Sequence, residues 1–461
     1  MLFRSCVRRP AVLLSLGVAC ALSALAQTPD TTEFITEMVH NLKPSDIPAL
    51  TTKAKAGDLR SQTLLAFAYF GSTAVTEDSS EGLRWLRMAA GKGYPVAMVG
   101  LGNLYESGTA VEQDPKEAVA WFTRAAEAGF APAQSNLGIM YENGRGVPAA
   151  DFVKAAFWYR RAADQGFAPG QYNLGAIYAS GHGVAQNLPE ALRWYRTAAA
   201  HNFAAAEYAL GLAYREGIGV VADPSEALAW FRRADEHGAA IAPFAIAEIY
   251  AGGKGVPVNL AEARNWYQKA AEHGFPHAQY KLAEMYADGT GVPQDLKQAV
   301  TWYEAAARSG DADAQEVLGG MYFSGHGVQR DPVQAAIWLR KAAEQGKPLA
   351  QYDMGVLYAS GQAVLTDQKV AAGWFHEAAD QGFARAQYAL GLVYGEGRGV
   401  PVDLVEACKW MTLSSAEIPK ESAAAMERFK RSMKTEQIAE AQRRAEEWKK
   451  AHGGKAEGQA K

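Results

Sequence analysis

The stretch that decides the fold is Phe275 to Gly310, FPHAQYKLAEMYADGTGVPQDLKQAVTWYEAAARSG. Ala278, Leu282, Ala283 and Tyr286 recur at i, i+4, i+5 and i+8, one apolar face of a first helix, helix A. Gly289 and Gly291 end it, since a left-handed C-terminal turn suits glycine. Val292 and Pro293 form the loop. Asp295 then caps helix B by accepting a bond from an orphan N–H, and Gln298, three residues on, suits the return arm of a capping box. Ala299, Trp302, Tyr303 and Ala306 make the buried stripe of helix B, which stops at Gly310.

Outward from this unit the pattern repeats in both directions. Trp85, Trp121, Trp158, Trp194, Trp230, Trp266, Trp302, Trp338, Trp374 and Trp410 are separated by eight intervals of 36 residues and one of 37. A fixed period in this range marks a stacked repeat array, in which each unit buries its apolar face against the next. The extra residue falls in the loop Pro148-Ala149-Ala150, where an insertion leaves the helical stripes in phase. The cap recurs as Asp114, Asn187, Asp223, Asn259, Asp331 and Asp403, followed three residues later by Glu117, Glu190, Glu226, Glu262, Gln334 and Glu406. The unit of Trp374 reads as weaker, because Val370 stands three residues after Asp367. A small residue follows the helix A leucine or methionine (Gly138, Gly175, Gly211, Ala283, Gly319, Gly355, Gly391), so helix B is expected to approach closely. The tryptophan is expected to be the helix B core anchor against that side of helix A.

The expected fold is all-α: an α/α superhelical solenoid of about ten 36-residue helix-turn-helix repeats with helical caps at both ends. Repeats one to ten occupy 58–93, 94–129, 130–166, 167–202, 203–238, 239–274, 275–310, 311–346, 347–382 and 383–416. Residues 27–57 read as linker and N-terminal cap, with helices over Phe34–Leu42 and Asp46–Ala56. Residues 417–452 read as C-terminal capping helices; Ile438, Ala441, Ala445 and Trp448 give the last a thin apolar stripe to lie over repeat ten. Residues 453–461 read as a disordered polar tail.

Ala11 to Ala26 is an apolar run behind Arg4, Arg8 and Arg9, ending in Ala24-Leu25-Ala26. This is the pattern of a secretory signal peptide over 1–26, cut before Gln27. A lipid-modified Cys20 is the disfavoured alternative, because Gly17-Val18-Ala19 lacks the large aliphatic residue usual three places before such a cysteine. A periplasmic or secreted location follows. The remaining chain carries 43 basic and 50 acidic residues, which argues against nucleic acid or an anionic membrane surface as partner. No later apolar run has membrane-spanning length. Cys408 is the single cysteine beyond the leader, placed beside Trp410 as a small buried filler.

The written-out repeat is Ala-x3-Leu-Gly-x2-Tyr-x2-Gly-x-Gly-Val-x2-Asp-x3-Ala-x2-Trp-Tyr/Phe-x2-Ala-Ala-x2-Gly, carried by Ala133 to Gly166 and Ala206 to Gly238. It resembles the Sel-one-like repeat (SLR) family, relatives of the tetratricopeptide repeats. The likeness covers about residues 58 to 416. It implies paired antiparallel helices in a right-handed superhelix and a role as adaptor or scaffold in protein complexes. Exported bacterial members imply envelope processes or host contact. Cysteine-rich members described as penicillin-binding carry paired cysteines that this chain lacks.

No catalytic motif interrupts the array: there is no Gly-x-Ser-x-Gly, His-Glu-x-x-His, Ser-x-x-Lys or phosphate-loop sequence. The Gly-x-Gly-Val stretches are helix stops. The histidines lack metal-ligand spacing, and His237 and His273 read as helix B ends. No enzyme, cofactor or metal is therefore expected. Function is sought where repeats differ, on the helix A slots facing away from the core. One slot runs Asn103, Ile139, Ala176, Leu212, Glu248, Glu284, Gly320, Val356, Leu392; another runs Gly100, Asn136, Asn173, Ala209, Ala245, Lys281, Val317, Asp353, Ala389. In related solenoids helix A lines the concave surface, so Asn103, Asn136, Asn173, Glu248, Lys281, Glu284 and Asp353 are candidate groove residues for a protein or peptide, with Glu248 and Glu284 as an acidic pair. The alternative is a cell-envelope glycan or peptidoglycan, held on Tyr172, Tyr208, Phe244, Tyr280, Tyr352 and Tyr388, although aromatics recurring in one repeat slot are more often packing.

Overall fold

The computed structural model describes residues 38–253 and 255–456. The leader, the linker and the start of the first cap helix lie outside them, as do residues 457–461. The described residues form two compact units, 38–242 with 255–256 and 243–253 with 257–456. Each is built of antiparallel helix pairs, and no strand occurs among the described residues.

In the first unit a short helix, Met38–Asn41, and a second, Ile47–Lys55, precede the repeats. Pro48 stands in the first turn of the second helix, where its missing N–H costs nothing. The repeats follow as pairs such as Ala131–Asn143 with Phe152–Ala163, and Ala204–Glu216 with Pro224–Glu236. The inserted residue is absorbed between Gly144 and Asp151, with both flanking helices intact. In the second unit, Pro276–Asp288 pairs with Leu296–Arg308, as the deciding stretch requires. Helices Pro419–Lys430 and Thr435–Ala456 close it, with Ala441 and Ala445 buried and Trp448 edge-on to Trp410, 6.1 Å between centroids. The last helix runs through residue 456, so the first four residues assigned to a disordered tail are helical instead.

Gly289 ends helix A at φ +71°, its N–H bonded to Met285 O, and Gly291 follows at φ +74°. Asp295 caps helix B through the N–H groups of Lys297 and Gln298, as expected. The return arm of the capping box is not made. The N–H that Gln298 would serve instead donates to the carbonyl of Tyr286, 2.9 Å away. The same bond runs from the cap to the last helix A tyrosine throughout, including Asp78 to Tyr69 and Asp151 to Tyr141. It also removes the expected weakness of repeat nine: Asp367 caps Lys369 and Val370 at 3.0 Å and donates to Tyr358 O, with no glutamate needed.

The tryptophan's place differs from the expectation. The residue after it is the one buried against its own helix A: Phe122, Tyr159, Tyr195, Phe231, Tyr267 and Tyr303 are all at most 5% exposed. A Cβ on Gly138 would lie 2.5 Å from the Tyr159 ring, and one on Gly355 2.5 Å from Phe375. The small residue is what admits this ring. Trp85, Trp194, Trp338 and Trp410 are buried as expected, but Trp121, Trp158, Trp230, Trp266, Trp302 and Trp374 are only half-buried. Trp230 packs into the cluster made by Tyr195 and Ala198 of the preceding helix B and Leu210 of its own helix A. The tryptophan thus seals the junction between repeats. An arginine or lysine covers its outer side, for example Arg193 over Trp194 at 4.4 Å and Lys341 over Trp338 at 4.4 Å.

Candidate functional site

Three kinds of position account for most of helix A: core, stop glycines, and a polar anchor. The anchor is a buried glutamine one turn before the leucine. Gln134, Gln171, Gln279, Gln315, Gln351 and Gln387 each donate Nε2 to an alanine carbonyl at the end of the preceding helix B, at 3.0–3.3 Å. Each of these carbonyls also accepts the N–H of the glycine three residues on, such as Gly129 to Ala126 O and Gly274 to Ala271 O, so the amide takes its second lone pair and ties helix A to the preceding helix B. In repeat five the slot holds Glu207, fully buried, whose side chain lacks the glutamine's amide donor. Arg233 Nη2 replaces the amide at Ala199 O, 3.3 Å, and stands 3.0 Å from Glu207 Oε1 as an ion pair. His237 Nδ1 meets the other carboxylate oxygen at 2.7 Å. The histidine expected to end helix B does so, with this second task. His273 likewise ends its helix B. The sequence signal was a glutamate breaking a glutamine column.

The aromatic slot is packing. Tyr172 lies 5.6 Å from Tyr195, Tyr208 5.2 Å from Phe231, Phe244 5.7 Å from Tyr267, and Tyr280 5.6 Å from Tyr303, centroid to centroid. Each ring bridges helix A to helix B of its own repeat.

The remaining helix A positions give each unit its own candidate binding face, and the residues there differ between the two. In the first unit the two variable slots of repeats two to four hold no charged residue. Asn136 Nδ2 donates to Asn103 Oδ1 at 3.4 Å, and Asn173 Nδ2 donates to Ser135 Oγ at 3.4 Å. All three asparagines are half-buried, and Ile139 beside them is 38% exposed. The structure therefore brings Asn103, Asn136 and Asn173 into one ladder on consecutive helices A. Ser135 belongs to it and was missed; the signal was its small polar side chain in a slot that is aromatic elsewhere.

In the second unit the face is charged. Lys281 pairs with Glu284 at 2.8 Å along one helix. Glu248 is exposed and accepts from the hydroxyl of the buried Tyr267. The expected acidic pair is thus divided, each carboxylate held by a different partner. Burial raises the Tyr267 hydroxyl, and the bond to Glu248 raises it further, which keeps it a donor. Asp353 is half-buried one repeat beyond Glu316. Burial, helped by Glu316 and opposed by Arg385, pushes its carboxyl up to about 6. Glu316 is also raised by burial while accepting the Ala350 N–H at 3.0 Å. Glu316 was missed because it occupies the aromatic slot of repeat eight, where a gap in the tyrosine series was the sign. His277, its protonated form favoured first by Asp311, borders the same face.

Among the described residues no group of three His, Cys, Asp or Glu is placed to hold a metal ion, and no helix is long and apolar enough to cross a membrane. Cys408 is buried as expected, its Sγ 3.5 Å from Met433 Sδ, and burial raises its thiol.

Comparison with known proteins follows the same frame. The Sel1 repeat matches ten times, at residues 59–94, 95–130, 131–167, 168–203, 204–238, 240–275, 276–311, 312–347, 348–383 and 384–417. Among solved structures, the chain is similar to c5321, described as a protective antigen present in uropathogenic Escherichia coli strains and displaying an SLR fold. Identity is 32%, with a TM-score of 0.56, covering 89% of this chain and 95% of that one. It is also similar to a Sel1 repeat protein from Oxalobacter formigenes, at 36% identity and a TM-score of 0.45, covering 53% of this chain and 96% of that one. No curated protein matches.

Proposed function

The chain belongs to the Sel1 repeat family, and from that premise we propose that it is an exported, non-enzymatic scaffold that binds a protein or peptide along the helix A face. The observation that carries this reading is the division of labour within the repeat. Core, cap, stop and anchor positions recur with fixed roles, while the helix A slots from Asn103 to Asp353 change in charge and size along the array. A face whose residues change from repeat to repeat on a constant frame is what a binding surface needs. The 32% identical relative is named a protective antigen, which supports an exported location, as does the leader-like sequence before Gln27. The packing of the aromatic column between helices supports this reading over the glycan alternative.

The test is capture from a cell-envelope extract by the full chain and by a variant carrying Asn136→Ala, Asn173→Ala, Glu284→Ala and Asp353→Ala. The intact face is expected to retain a specific protein that the variant loses. Equal capture by both would remove the helix A face from the function. For export, sequencing of the protein recovered after expression with its leader is expected to begin at Gln27; retention of Met1 would contradict it.

A further inference from the structure

We propose that the helix A face of repeats two to four holds the main chain of an uncharged, extended peptide segment through the Asn103–Asn136 and Ser135–Asn173 ladder. This rests on the groove reading above and specifies what the first unit's part of the groove takes.

The chemistry begins with the carboxamide. It offers two donors and an acceptor with two lone pairs, the same pairing a peptide group presents. Each ladder bond uses a single amide proton and is 3.4 Å long, at the outer limit for such a bond. The asparagines are half-buried, so their remaining capacity is open to a ligand or water. A peptide bond that replaces one 3.4 Å contact with a shorter one gains on the exchange.

Spacing agrees. Packed helices stand about 8–10 Å apart, and three residues of extended chain span about 10 Å at roughly 3.3 Å each. Amides on successive helices A thus meet every third residue of an extended segment. Ile139, 38% exposed, offers an apolar contact for a side chain between them.

Charge narrows the occupant. Asn103, Asn136, Ile139, Asn173 and Ala176 place no charge in the two variable slots of repeats two to four, and Gly100 is buried against Phe67 and Leu86. These slots offer no counter-ion to a strongly acidic or basic segment, and the nearest carboxylates, Glu106 and Glu142 one turn on, are already held by Arg145 and the Tyr159 hydroxyl. The corresponding slots of the second unit, with Lys281, Glu284 and Asp353, suit such a segment better. The ladder therefore selects neutral main chain.

The test is a cellulose-bound array of random unstructured dodecapeptides probed with the full chain. Retained sequences are then made as fluorescent peptides for titration. The retained peptides are expected to have uncharged centres. Affinity is expected to fall at least tenfold with Asn136→Ala and Asn173→Ala, and to stay within twofold with Glu284→Ala and Asp353→Ala. Backbone N-methylation of the peptide at every third residue is expected to abolish binding to the wild-type chain, a readout independent of whether the asparagine variants fold. If peptides bind but respond only to the Glu284 and Asp353 changes, the ladder proposal fails and the groove reading stands. If neither pair of substitutions matters, or if no peptide is retained, both fail.

Discussion

Gly211 and Phe231 sit so close that a Cβ on the glycine would lie 2.5 Å from the ring. Glycine in a helix interior is ordinarily a weakness of about 1 kcal/mol relative to alanine. Here the contact reverses the sign. Gly211→Ala is expected to destabilise by about 1–3 kcal/mol through overpacking. Gly320, on the same kind of helix with nothing within 4 Å of its absent Cβ, is the control. Gly320→Ala is expected to be neutral or stabilising by up to about 1 kcal/mol. Urea denaturation followed by circular dichroism separates the two; equal effects would dismiss the close-approach account.

The tryptophans should not be equivalent, although the sequence repeats them without distinction. Trp410 is 1% exposed and edge-on to Trp448, whereas Trp302 is half-buried. Trp410→Ala is expected to cost about 3–5 kcal/mol, the range for truncating a buried aromatic. Trp302→Ala should cost clearly less, because part of its ring already faces water. A larger loss at Trp302 would overturn the junction-sealing role given to the half-buried rings.

Asp353 gives a pH dependence with a definite sign. Its carboxyl stands at about 6 in the folded chain, against about 3.9 in an unfolded one. Between these values the folded chain holds a proton that the unfolded chain has lost. The stability this group favours is therefore complete below about pH 4 and lost as pH rises through about 6. Asp353→Asn is expected to exceed wild type in stability at pH 7.5 by about 2 kcal/mol, with the gap closing by pH 4. A gap that stays constant across that range would exclude the buried carboxyl as its cause.

Glu207 tests the anchor column. Glutamine at this slot would donate to the Ala199 carbonyl as its counterparts do in neighbouring repeats. Glu207→Gln is expected to change stability by less than about 1 kcal/mol, while Glu207→Ala removes the partner of Arg233 and His237 and costs about 2 kcal/mol. Equal losses in thermal melts would show that the column carries no hydrogen-bonding role.

Helix positions, loop stops and cap residues were legible because each follows from local chemistry: periodic apolar faces, glycines at positive φ, and an aspartate before helix B. The insertion at 148–150 was legible because a helix could not have absorbed it. Which partner a group takes was not legible. The capping box was expected from Asp295 and Gln298, yet the cap N–H finds Tyr286 across the loop. The tryptophan and its neighbour both read as core, and only packing shows that Tyr303 fills the space beside Ala283 while Trp302 reaches the preceding repeat. On the groove, sequence found Asn103, Asn136 and Asn173 as variable slots. It did not find Ser135 and Glu316, because both hide in a column read as aromatic.

The claim that binding occupies the helix A face is tested most directly by hydroxyl-radical footprinting of the full chain, alone and with its captured partner. Ile139 on the helix A face and Phe157 on helix B are both exposed, at 38% and 53%, so both react in the free chain. Protection of Ile139 with Phe157 unchanged is the expected result. Protection of Phe157 with Ile139 still reactive would contradict the account.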